Sequence, residues 1–156
     1  MPEPQRNSAN VIVFPPLLYG ATLVAGLLLQ LLWPLPLFHW PPSRWIGGAL
    51  AAASAILAKW GENAMRRAGT NVKPSEPTLA IVQDGPFRFS RNPLYLSLTM
   101  LYIGASLIFN ALIPIVLLPF LLAVVQLGII HREERYLEAT FGDEYRNYRA
   151  RVRRWF

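Results

Sequence analysis

Two short polar clusters flank a long apolar stretch, and they hold most of the side chains that could do chemistry. The first is Arg91, Asn92 and Tyr95; the second is His131, Arg132, Glu133 and Glu134. Together they offer guanidinium, amide, phenol, imidazole and two adjacent carboxylates. An ionised carboxylate accepts strong hydrogen bonds from amino and hydroxyl donors. An imidazole or carboxylate can take a proton, and an aromatic face attracts a cation. Such a site suits a polar, charged cofactor held beside an amphiphilic substrate. Other chemistries lack their residues. The absence of cysteine removes disulfides, thiolate metal sites and thiol nucleophiles. There is no Gly-x-Gly-x-x-Gly, no Gly-x-x-x-x-Gly-Lys loop and no Gly-x-Ser-x-Gly elbow. His39 and His131 are the only histidines, and the topology below puts them on opposite faces of a membrane, so no metal is expected.

Each of these residues also has a plainer use. Glu133 and Glu134 can be solvated helix charges paired with Arg132 and Arg135, although two carboxylates near a helix C-terminus sit against the helix dipole. Arg91 can serve as a membrane-orienting charge, and Tyr95 and the tail aromatics as interfacial side chains. His131 can cap the last carbonyls of a helix, and His39 reads as an interfacial side chain.

The elements that must position these clusters follow from hydropathy. The chain has 156 residues, of which 53% are hydrophobic and only 15% charged, against about 25% charged in an ordinary soluble domain. That excludes disorder and argues against a soluble enzyme. Charge is absent from Asn7 to Ser43, from Trp45 to Ala58 and from Asn92 to His131, with histidine neutral. A bilayer core of about 30 Å needs about 20 helical residues, so the last run is long enough to cross twice. Asn110 near its middle divides it into a hairpin, Leu94–Phe109 and Ala111–Ile130. The first run gives one crossing over Ile12–Trp33, ended by Pro34, Pro36, Pro41 and Pro42. Trp33, Trp40 and Trp45 cluster there, as aromatics do at an interface. The run from Trp45 to Ala64 is rich in Gly and Ala, which permits close helix packing in lipid, and Lys59 can snorkel. The expected fold is therefore all-α, a single integral membrane domain over residues 1–156. It has about four transmembrane helices (12–33, 45–64, 94–109 and 111–130).

The net charge of +6 fits this topology better than nucleic-acid binding, because the basic residues crowd beside the apolar runs. With four crossings, every one of the 15 Lys and Arg residues except Arg44 falls on one side. The expected localisation is multi-pass with both termini cytoplasmic. The first apolar stretch is too long, and its basic flank too weak, for a signal peptide. The intramembrane runs carry no Asp, Glu, Lys or Arg, which leaves an ion-translocating relay without support.

Two cytoplasmic segments remain, 69–93 and 131–156. The first is irregular, with prolines and small polar residues. It passes through Leu79-Ala80-Ile81-Val82 to a turn at Asp84-Gly85-Pro86 and enters the third crossing at Pro93, which suits the first helical turn. In the second, Leu137, Phe141, Tyr145, Tyr148, Val152 and Trp155 recur at helical spacing. Gly142-Asp143 reads as a stop and a new N-cap. The pattern predicts a basic amphipathic helix from Asp143 lying along the membrane surface.

Gly85-Pro86-Phe87-Arg88-Phe89-Ser90-Arg91-Asn92-Pro93-Leu94-Tyr95 resembles the Gly-x-Tyr-x-x-x-Arg-His-Pro-x-Tyr motif of isoprenylcysteine carboxyl methyltransferases. Glu133-Glu134-x-x-Leu137, then Phe141-Gly142-x-x-Tyr145-x-x-Tyr148, resembles their C-terminal signature. Related phospholipid N-methyltransferases share the paired glutamates. The likeness covers about Thr78 to the end. It implies an integral membrane methyltransferase that uses S-adenosylmethionine and a lipophilic acceptor, with membrane lipids as surroundings. Cofactor-contacting positions of the family correspond here to Leu79, Ala80, Ile81, Val82, Phe87, Asn92, Pro93, Leu94, Tyr95 and Glu133. Three positions depart from the family pattern. Asn92 replaces the motif histidine and keeps hydrogen-bonding capacity without acid–base function. Leu79 replaces a histidine that opens the first segment. Ile129 stands where the eukaryotic enzymes place an arginine near the methyl acceptor, which weakens the case for a prenylcysteine carboxylate.

Under this resemblance Glu133 binds amino or hydroxyl donors of the cofactor, Asn92 and Pro93 shape its pocket, and Tyr95 lies near the sulfonium. A carboxylate acceptor needs no base. A protonated amine does, and His131 or Glu134 are the candidates. Two other classes stay open: a membrane reductase with NADPH phosphates on Arg66, Arg67 and Lys73, and a non-catalytic membrane protein.

Overall fold

The computed structural model describes residues 14–38, 43–72 and 76–155. Readings placed on Arg6, Ile12, His39, Trp40, Pro41, Pro42 and Lys73 lie outside these. Among the described residues the fold is all-helical, and its only β-pairing is an isolated bridge between Pro36 and Ala111. Helix α1 spans Pro15–Leu32, α2 Ser43–Arg67, α3 Pro93–Ile108 and α4 Leu112–Val125. A π-helical turn, Gln126–Ile130, runs from α4 straight into α5, His131–Phe141; α6 is Asp143–Arg151.

Two of these are long and apolar enough to cross a membrane: Pro15–Leu32 and the continuous helix Leu112–Phe141. Helix α3 is apolar but shorter. Helix α2 is longer than the apolar run predicts, because its last turns carry Lys59 and Arg66, both paired with Glu62 at 3.3 and 2.6 Å. Many large apolar side chains point outward, among them Leu17, Val24, Leu31, Trp45, Ile56, Phe120 and Leu127. Water would penalise that surface by tens of calories per mole for each square ångström; hydrocarbon would not.

Helix α3 is the centre of the packing. On one side it lies against α2 at a glycine–glycine crossing. A Cβ on Gly47 would sit 2.5 Å from the Gly104 carbonyl oxygen, and one on Gly104 would sit 2.8 Å from that of Gly47. Backbones approach that closely only where both side chains are absent. The Ser54 hydroxyl adds a hydrogen bond to the Ser97 carbonyl at 2.7 Å. On the other side, Tyr19 of α1, Tyr95 and Tyr102 of α3, and Leu121, Val125, Ile129 and Ile130 form the apolar core.

The hairpin between α3 and α4 turns on Asn110, whose φ of 50° places it in the left-handed region that asparagine tolerates better than most residues. Its side chain clasps the segment after α1: Oδ1 accepts from the Phe38 N–H at 3.0 Å, and Nδ2 donates to the Phe38 carbonyl at 2.9 Å. Gln30 completes the link by accepting from the Ile113 N–H at 3.1 Å.

The tail differs from the surface helix that its periodicity predicts. Helix α5 stops at Gly142, with φ 53°, and Asp143 is the first residue of α6 rather than its cap. Tyr145 and Tyr148 are buried in the protein, and Val152 and Trp155 lie beyond the last helical residue. The apolar stripe faces the end of the bundle because neighbouring polar atoms bind the tail there, as described next.

Candidate functional site

Residues 70–72 and 78–92 contribute one wall of a cavity. Thr70 Oγ1 accepts from the Leu79 N–H at 2.9 Å, and the Thr78 N–H reaches the Tyr136 hydroxyl at 3.4 Å, which ties the irregular segment to α5. Gly85, with φ 59°, lets the turn settle onto Trp60 and Ala64 of α2. The short 3-10 helix Gly85–Arg88 then buries Phe87, whose carbonyl accepts from Tyr148 of α6 at 2.8 Å. Pro93 opens α3, so Asn92 and Tyr95 sit at its entrance.

The opposite wall comes from α5. The π turn inserts an extra residue, which rotates everything after it by about 100° relative to a continuous α-helix. Ile129 and Ile130 are thereby buried in the core, while Glu133 and Glu134 face the cavity. The enclosed volume is about 270 Å³. Its lining gathers Ala80, Ile81, Val82, Phe87, Asn92, Pro93, Leu94, Tyr95, Glu133 and Glu134, residues the motifs single out from stretches far apart in sequence.

The two glutamates differ in environment. Glu133 Oε1 accepts a hydrogen bond from the Tyr95 hydroxyl at 2.7 Å. Among the described residues Glu133 has no cationic partner. Glu134 is buried between two cations. Arg154 binds it with two bonds, Nε to Oε1 at 2.9 Å and an Nη to Oε2 at 2.7 Å. Arg91 approaches Oε1 at 3.2 Å and also points to the Tyr145 hydroxyl at 3.4 Å. Burial pushes the phenols of Tyr145 and Tyr148 up from their ordinary range, so both remain neutral hydrogen-bonding walls at physiological pH.

One donor is left over. Arg91 Nε is buried and has no partner, although Arg91 lines the cavity. An unsatisfied buried donor costs about 1–3 kcal/mol, and among the described residues nothing offsets that cost. Among the described residues the lining thus presents a carboxylate without a cationic partner, Glu133, one guanidinium, Arg91, and an aromatic ring at Tyr95. That set suits a ligand with ammonium or hydroxyl groups for Glu133 and a negative group for Arg91.

Two residues singled out by sequence stand outside the cavity. Leu79 is exposed while its neighbours Thr78 and Ala80 face inward. His131 lines a second, shallow hollow with Leu127, Glu134, Arg135, Glu138 and Arg149; of these only Glu134 also lines the cavity. Sequence reasoning missed Arg154 and Ser90, and missed Phe14, Pro15 and Pro16, which bring the start of α1 to the cavity. A hydrophobic-moment reading sees Arg154 only as one more basic residue, because its partner lies in another helix. Among the described residues no group of three His, Cys, Asp or Glu side chains gathers as a metal site.

Residues 42–144 match the family described as PEMT, phospholipid methyltransferase. A stretch of 63 residues is 44% identical to an uncharacterized protein of Haemophilus influenzae; it covers 40% of this chain and 98% of that protein. No solved structure matches.

Proposed function

Because the chain belongs to the phospholipid methyltransferase family, we propose that this cavity binds S-adenosylmethionine and directs its methyl group to a lipophilic or amphiphilic acceptor at a membrane face. The observation that carries the reading is the joint lining of one cavity by Asn92, Tyr95, Glu133 and Arg91, with Glu133 uncompensated by any cation among the described residues.

When bound, S-adenosylmethionine supplies a methyl group on a cationic sulfonium, open to in-line displacement. The protein's part is to position, to desolvate and to balance charge. Glu133, oriented by the Tyr95 hydroxyl, accepts hydrogen bonds from amino or hydroxyl donors. Arg91, held on Glu134, supplies the positive charge of the lining. Tyr95 offers its ring to positive charge. Phe87, Val82 and Leu98 exclude water from the apolar part of the cavity.

The acceptor we favour is an amine rather than a carboxylate. Arg91 is the one cation among the described lining residues, and its Nη already serves Glu134. Ile129 offers no replacement. A protonated amine must lose its proton before it attacks. Both oxygens of Glu134 are already engaged by the guanidiniums of Arg154 and Arg91, and His131 is not among the residues lining the cavity. Glu133 is the carboxylate that remains in reach. We also propose the four-crossing topology, with the cavity at the cytoplasmic face.

Methyl transfer from isotopically labelled cofactor to membrane-inserted amphiphiles tests this reading. Label should enter amine-bearing amphiphiles in preference to carboxylate-bearing ones. Transfer confined to carboxylates would overturn the acceptor assignment.

A further inference from the structure

The segment after α6 is short and irregular, yet hydrogen bonds at Arg153, Arg154 and Trp155 tie it to residues around the cavity. The Arg153 carbonyl accepts from the Arg91 N–H at 3.0 Å. The Arg154 carbonyl accepts twice, from Ser90 Oγ at 3.2 Å and from Asn92 Nδ2 at 3.0 Å. The Arg154 guanidinium grips Glu134 through both carboxylate oxygens. Trp155 Nε1 donates to Gln126 Oε1 in the π turn at 3.1 Å. A basic residue serving only as a membrane-orienting charge needs no such directionality. All of these residues lie beyond the stretch that matches the family, which ends at 144.

The bonds fall on both walls at once. Residues 90–92 form the entrance to α3, which has no side-chain cap of its own. Glu134 belongs to α5. Arg154 is the residue that touches both: its side chain fixes the carboxylate, and its carbonyl fixes the Asn92 amide nitrogen, leaving Asn92 Oδ1 for a ligand. A planar fork holds a carboxylate in one orientation, which an ammonium cannot do.

We propose that Arg154 is a positioning residue of the cavity, setting Glu134 through its guanidinium and Asn92 through its carbonyl, so that the tail couples the two walls when the ligand binds. This rests on the cofactor reading above. Arg154 is not placed against the reacting atoms and acts through its two neighbours.

The test measures S-adenosylmethionine affinity and thermal stability of the full detergent-purified chain. The variants are Arg154→Ala, Arg154→Lys and, as a control on the exposed face of α6, Arg149→Ala. Affinity of Arg154→Ala should fall about tenfold, the scale that supporting partners of a ligand-binding group carry, with little change in melting temperature. Arg154→Lys keeps the charge and the carbonyl but not the fork, and should recover only part of the loss. Arg149→Ala should bind like the parent chain. Undiminished binding by Arg154→Ala, in a protein whose parent binds, would overturn the positioning role and leave the cofactor reading intact. Failure of the parent to bind would overturn the cofactor reading and this inference with it. If Arg154→Ala does not fold, Arg154→Lys decides: affinity equal to that of the parent would count against the fork.

Discussion

Glu133 and Glu134 are adjacent in sequence and nearly opposite in circumstance. Glu134 has two guanidiniums, and Glu133 has one phenol. On the proposed reading Glu133 meets the ligand directly, and Glu134 is the post on which Arg91 and Arg154 are held. Tyr95→Phe removes the bond that orients Glu133 and should weaken cofactor binding several-fold, in line with about 0.5–1.5 kcal/mol for one hydrogen bond; calorimetric titration reads it. His131→Ala should leave binding within error, since His131 faces another hollow; a large loss would return His131 to the site. The paired glutamates and the Arg-Asn-Pro-x-Tyr segment were legible as neighbours because a helical hairpin brings its two ends together, and both line one cavity. The partnership of Glu134 with Arg154 was not, because it depends on where an irregular tail crosses the bundle end.

At the scale of elements, helices were legible wherever hydropathy, proline and asparagine punctuated the chain. Pro15 and Pro93 begin helices, and Asn110 turns the hairpin. The π turn left no such mark, and it decides which way α5 faces. The tail periodicity was real, but its apolar stripe covers protein rather than lipid. Packing of α2 on α3 rests on Gly47 and Gly104. Gly104→Val should destabilise the fold by about 1–3 kcal/mol through overpacking, read as a lower melting temperature in detergent. Asn110→Ala loses both the left-handed tolerance and the clasp on Phe38. It should cost about 1–2 kcal/mol in backbone strain plus the lost hydrogen bonds, in the same assay.

For the whole molecule, the apolar exterior and the one-sided distribution of Lys and Arg point to a membrane. The chain lacks cysteine, so single cysteines can report topology without background. The proposed four crossings put three between Arg44 and Arg149, so cysteines placed there should label from opposite sides of sealed vesicles; labelling from the same side would require an even number of crossings between them. The central claim is that the cavity between α3 and α5 binds S-adenosylmethionine through Glu133. Equilibrium binding to the purified chain and to Glu133→Ala, with NADPH as competitor, tests it most directly. The account predicts saturable binding that NADPH does not displace and that Glu133→Ala weakens by tenfold or more, roughly the 1.5–3 kcal/mol of a charge-assisted bond. Binding unaffected by Glu133→Ala, or displaced by NADPH, would contradict it.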